Sequence, residues 1–216
     1  MKKVFVSVSV ILALGLGNIQ AQGVMGGIKV DANLSNFILD DLDGMETKFG
    51  FGFSVGGYTK HEFSEYFALQ PEILLHYKNS KTEVKSNALL PISLSGDTDF
   101  RYIGVELPIY AVGQKTFGNG KAFIGGGPFV GYGIDARRIA DGQSDVNLYK
   151  EYGGQKSEMQ RWDFGVSAMA GYEFGSRLQI IGTWKLGVIN TLNAAKDDAA
   201  MMSQSFSLGL GYRFGN

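Results

Sequence analysis

The chain closes on SFSLGLGYRFGN, residues 205–216. Phe206, Leu208, Leu210, Tyr212 and Phe214 fall on one parity, and Ser205, Ser207, Gly209 and Gly211 on the other. Alternation with a period of two marks a β-strand with unlike faces. In a soluble sheet the apolar face meets a packed core and the other carries polar side chains into water. Here the second face is almost bare of side-chain bulk. Such a strand suits an apolar medium on one side and a narrow, crowded space on the other.

Seven more alternating segments precede it, at about residues 23–35, 48–60, 66–78, 100–112, 121–135, 161–174 and 177–189. In most of them bulky apolar residues share one parity, while glycine, serine and charged residues share the other. The segment at 121–135, KAFIGGGPFVGYGID, is too rich in glycine to assign its faces. The connections alternate in length. HEFSE, GQKTFGNG and GS are short; NFILDDLDGMET, the stretches around 79–99 and 136–160, and NTLNAAKDDAAMM are long. A soluble sandwich gives no reason to trim one end of every hairpin. A transmembrane β-barrel does, with short periplasmic turns and longer extracellular loops.

Composition agrees. The 216 residues suffice for one sizeable domain and carry a net charge of -1, which gives no footprint for nucleic acid. Cysteine is absent, which excludes disulfides, thiolate metal sites and attachment of lipid to a cysteine. The N-terminus reads as a cleaved secretory signal over residues 1–21: a basic MKK start, an apolar VFVSVSVILALGLG, and a small residue, Ala21, at the cut. The remaining 22–216 is then one barrel domain.

The expected fold is all-β: an eight-stranded antiparallel up-and-down transmembrane β-barrel behind a signal peptide. An even count closes the sheet, and closure removes the unpaired edges that lipid cannot solvate. Eight strands leave a lumen that side chains fill, which explains small residues on the inward parity. Lys29, Asp31, Glu72, Lys78, Glu106, Glu173, Lys185 and Arg213 share that parity. Lys29, Glu72, Glu106 and Lys185 sit at mid-depth and are expected to form a charge network plugging the lumen, since buried charges of mixed sign can pair. Tyr66, Phe67, Tyr172, Phe174, Tyr212 and Phe214 form the expected periplasmic girdle; Phe49, Tyr77, Trp162, Phe164 and Phe206 form the outer one. Pro71, Pro108 and Pro128 lie inside strands and lack a donor for the ladder, so bulges are expected at all three.

The segments GGIKVDANLSNF, LQPEILLHYK, YIGVELPIYA, GGPFVGYG, DFGVSAMAGYEF, KLGVINTL and SFSLGLGYRF, in this order, resemble the PorT-like outer-membrane β-barrel domain proteins of Bacteroidetes-type bacteria. The resemblance spans the mature chain. It implies the outer membrane and a barrel, and little about activity, although one namesake serves protein secretion. Ser207, Gly209, Tyr212 and Phe214 match the spacing of the C-terminal signal that barrel-assembly machinery reads, with Gly215 and Asn216 trailing where many barrels end on the aromatic.

No catalytic, cofactor or metal constellation is read. His61 falls in a short turn, and His76 faces the lumen as a hydrogen-bonded histidine. The DDLDG of 40–44 lacks the ligand spacing of a calcium loop. GGGP at 125–128 precedes no helix, so it is no phosphate cradle. Arg101, Arg137 and Arg138, at the outer rim, are candidates for contact with lipopolysaccharide phosphates. The expected partners are outer-membrane lipid and lipopolysaccharide, the assembly machinery, and a protein met through the extracellular loops. The expected role is structural or surface interaction without catalysis. The alternatives are an accessory of a secretion assembly and a lipid-modifying enzyme.

Overall fold

The computed structural model describes residues 24–40, 45–84, 97–140, 145–151, 157–192 and 200–215. The signal segment, most of the DDLDG stretch and Asn216 lie outside the described residues. Nine strands follow in order: β1 (Val24–Asp40), β2 (Met45–Glu62), β3 (Phe67–Val84), β4 (Asp97–Phe117), β5 (Gly120–Ala140), β6 (Val146–Asn147), β7 (Trp162–Glu173), β8 (Leu178–Gly187) and β9 (Ala200–Arg213). The eight long strands pair antiparallel in sequence order, β5 with β7 beside its short pairing with the two-residue β6, and β1 pairs with β9 to close an eight-stranded barrel. Closure pairs Ile28 with Tyr212 and Leu34 with Phe206, so the opening stretch is the seam strand.

The faces sort as the alternation requires. Val30, Phe51, Phe53, Ile109, Val166, Leu208 and Leu210 are about half exposed, an apolar band that only lipid covers. Lys29, Asp31, Glu72, Glu106, Thr183, Lys185 and Ser205 are buried in the lumen. The ambiguous β5 resolves: Phe123 and Phe129 turn inward, Ile124 and Pro128 outward.

Three expectations change. First, the strands of the first five-strand arc run 17–21 residues rather than 12–15. About 9–11 tilted residues cross the hydrocarbon, so this arc rises well beyond it as a wall. Most of the expected first long loop is therefore strand: β1 and β2 are separated by residues 41–44. β7 and β8, at 12 and 10 residues, stop near the outer interface and leave the wall low on that side.

Second, the prolines cause no bulges. Register is unbroken past each, and the ladder instead skips rungs on one side. Pro71 keeps Ile109 of β4 but has no rung to β2; Pro108 keeps Phe129 of β5 but has none to β3; Pro128 keeps Val166 of β7 but has none to β4. A missing N–H removes bonding toward one neighbour, and the closed sheet holds register from the other. The register shifts fall elsewhere, between Phe49 and Phe53 and between Ile103 and Gly104.

Third, the lumen is not lined by small residues throughout. Tyr110, Val112, Phe123, Met169 and Ile181 pack with Ala68 into an apolar cluster in the short-turn half. At the other end Phe37, Phe100, Tyr102 and Ala136 of the tall wall, with Met201 of β9, pack against Leu148 and Met159 of the segments joining β5 to β7. The barrel is stoppered from below and capped from above.

Candidate functional site: the lumen charge network

Between the two apolar clusters lies a polar layer. β1 carries Lys29 and Asp31 two residues apart, hence on one face. The Lys29 ammonium donates to Glu72 Oε2 at 3.2 Å and to Thr183 Oγ1 at 3.4 Å, and lies 3.7 Å from Asp31. Glu72 also accepts from Gln70 at 2.9 Å, and Asp31 from Ser54 at 2.9 Å. Higher up, Glu106 of β4 accepts from Lys185 of β8 across the barrel and from Lys78 of the adjacent β3. His76 Nδ1 approaches the same carboxylate at 3.5 Å. Each carboxylate thus meets at least one ammonium, which offsets the large cost of burying either charge alone.

The bare face of β9 now has a cause. A methyl carbon added at Gly209 would sit 1.8 Å from Asp31 Oδ1, and one at Gly211 would sit 2.6 Å from Gln179 Oε1. The glycines of the last strand leave space for the polar side chains of β1 and β8. A lumen this narrow cannot hold long charged side chains on every wall.

The four mid-depth residues form two centres, Lys29 with Glu72 and Lys185 with Glu106. Lys78, on the inward parity two residues past His76, completes the second centre; that shared parity was its signal in the sequence. Asp163, whose carboxylate accepts from Ser203 at 2.6 Å above them, carried the same signal, sharing the inward parity of Ser167 and Glu173 on its strand. His61 lies within β2, one residue before its end, rather than in a turn, its ring 4.7 Å from that of Phe63. Ser207 and Gly209 face the lumen, Tyr212 faces out, and the rings of Tyr212 and Phe214 meet at 5.8 Å.

The arginines divide. Arg101 and Arg137 are directly opposed on β4 and β5, both exposed. Arg137 donates to Asp135 at 2.8 Å. Arg138 is a correction: it points inward and donates to Glu158 at 2.8 Å. One residue along a strand changes the face, so Arg137 and Arg138 cannot serve one outward site.

A closed sheet with an apolar exterior, aromatic rims and a charged interior is the architecture of an outer-membrane barrel, and sequence comparison agrees. The family described as outer membrane protein beta-barrel domain matches residues 20–193. The chain belongs to that family, and its place is the outer membrane. No curated protein matches it in sequence. Among solved structures, OprG of Pseudomonas aeruginosa superposes with a TM-score of 0.52 at 13% identity, over 92% of this chain and 100% of that one. The neisserial surface protein NspA gives 0.46 at 14% identity, over 89% and 100%. At such identities the likeness concerns the fold. In the general plan of outer-membrane barrels the long-loop end faces outward.

Proposed function

We propose that this barrel is a non-enzymatic surface protein, acting through what its tall outer wall and cap present rather than through passage or catalysis. One observation carries the reading. The lumen is shut at three levels, by the lower apolar cluster, the charge network and the cap, while strands β1–β5 continue far past the hydrocarbon. The proline-bearing LQPE and ELP elements support reading it as a PorT-like member of the family. The exposed, adjacent Arg101 and Arg137 suit phosphates of the surrounding lipopolysaccharide, through charge-assisted bonds.

The test is cross-linking on intact cells. A barrel whose residues 141–160 are replaced by a glycine–serine linker is compared with the full chain, after a gel confirms that both are folded. Cross-linked species formed with the full chain and lost with the linker support a surface role. Identical patterns, or an altered lipid A in a strain lacking the protein, speak against it.

A further inference from the structure

The charges of the lumen are unevenly shared. Glu106 takes an ammonium on each oxygen, Lys78 on Oε1 and Lys185 on Oε2. Asp163 accepts from the Ser203 hydroxyl through Oδ2 and leaves Oδ1 buried without a hydrogen-bond partner. No cation lies within ion-pair distance of it among the described residues. Yet the two carboxylates are neighbours. Gly131 of β5 stands between them in one row of the sheet, opposite Glu106 on one side and Asp163 on the other. A methyl carbon added at Gly131 would lie 3.7 Å from Glu106 Cγ and 3.3 Å from Asp163 Cβ. One carboxylate therefore holds two mutually repelling ammonium groups, while the next one across a glycine holds none.

Room for another arrangement is present. A chamber of about 60 Å³ is lined by His76, Lys78, Glu106, Asp163, Ser80 and Asn36. It is large enough to admit an ammonium, a group of about the size of a water. Ser80 Oγ and Asn36 Oδ1 are buried in it without hydrogen-bond partners among the described residues, as Asp163 Oδ1 is. An ammonium has three donors and no acceptor, which suits such a set, and buried acceptors left unpaired are costly. Arg161 does not compete for Asp163. Its guanidinium is bonded to Gly133 O at 3.0 Å and Ile134 O at 3.1 Å, and lies 4.7 Å over the Tyr149 ring. The oxygen that Lys78 would leave also has a substitute at hand. His76 Nδ1 is buried, unpartnered, and 3.5 Å from Glu106 Oε1, the oxygen that Lys78 occupies. A neutral imidazole with its proton on Nδ1 becomes the donor on a slightly closer approach.

We propose that Lys78 is a two-position lysine: down on Glu106, as the structure shows it, and up in the chamber on Asp163, with His76 taking the vacated oxygen of Glu106. The exchange leaves Lys185 on Glu106 and gives each carboxylate one ammonium. It also partners two buried atoms, Asp163 Oδ1 and His76 Nδ1, that the down position leaves alone. In the up position Lys78 joins β3 to β7 two residues from Arg161, whose guanidinium pins Tyr149 of the cap. One side chain thus links the lumen network to the cap. The device goes beyond the surface role, and its test does not depend on that role.

The chain has two histidines, so isotope-labelled histidine gives two sets of imidazole nitrogen signals, and His61→Asn identifies those of His76. Spectra are recorded by magic-angle-spinning NMR on the barrel in phosphatidylcholine bilayers. Two variants supply the limits. Asp163→Asn removes the anion that draws Lys78 up, so His76 shows its unpartnered state. Lys78→Met empties the Glu106 oxygen, so His76 shows its bonded state. Each variant is first checked for the gel shift of a folded barrel; if Lys78→Met fails it, Lys78→Leu takes its place, and if Asp163→Asn fails it, Asp163→Ser does. The expected Nδ1 signal of the unaltered chain is split between the two limits or averaged between them, with the minor position held by about a tenth of the molecules or more. A signal coincident with that of Asp163→Asn would overturn the proposal, since Lys78 then never leaves Glu106. So would one coincident with that of Lys78→Met, since the lysine then never returns.

Discussion

At the scale of single residues, the polar layer is held by a small number of contacts that the sequence could place but not connect. Parity put Lys29, Glu72, Glu106 and Lys185 in the lumen, because period-two alternation fixes the face of every strand residue. It could not say which cation meets which carboxylate, since that depends on shear and on side chains spanning the barrel. Lys78 shows the gap: its face was legible, its bond to Glu106 was not. Glu106 is 1% exposed and serves two ammonium groups, so Glu106→Gln leaves both without their anion. Removing one member of a buried pair costs about 3–5 kcal/mol. We expect Glu106→Gln to lower the unfolding free energy of the bilayer-embedded barrel, measured in urea, by an amount approaching that, and a second change, Lys185→Met, to recover part of it. Coupling of this kind is what contacting residues show; strictly additive losses would mean that the pair does not matter to stability.

At the scale of the strand, existence was legible throughout and face in all but the glycine-rich β5, while length and continuity were not. All eight spanning strands follow from alternation. Their ends did not, because β1 keeps pairing with β9, and β2 with β3, outside the hydrocarbon, where lipid no longer demands an apolar parity and the pattern fades. The prolines misled for a related reason. A bulge is the remedy for an open sheet, whereas Pro71, Pro108 and Pro128 are held in register by the following strand. The inner aromatics were missed because Tyr110 shares its parity with Glu106 but lies in an otherwise apolar run, IYAV. The faces themselves are testable on two strands. Leu208 and Val166 are 66% and 48% exposed to lipid. Leu208→Arg or Val166→Arg should therefore destabilise assembly by about 2–4 kcal/mol near mid-membrane. Ser207→Thr, facing the lumen beside Asn33, should be tolerated. The readout is the fraction of chain that migrates as folded barrel without boiling; equal losses on both faces would contradict the assignment.

At the scale of the molecule, the barrel is uneven along its axis and around it. Short turns at 63–66, 118–119 and 174–177 close one end, the first at Phe63 and Ser64 through bonds to Phe67 O and the second with Gly118 in the left-handed region. The other end carries a tall wall over β1–β5 and a cap packed against it. This asymmetry links sequence to function: hairpins trimmed at one end only make sense if the two ends meet different compartments. Lys150 lies exposed in the capped end, and Glu65 lies exposed in the first short turn. Because the chain has no cysteine, each can be replaced singly by one. Intact cells carrying Lys150→Cys or Glu65→Cys are treated with a membrane-impermeant thiol reagent, with lysed cells as reference. The account predicts labelling of Lys150→Cys on intact cells and of Glu65→Cys after lysis alone. Labelling of Glu65→Cys on intact cells, with Lys150→Cys protected, would contradict it.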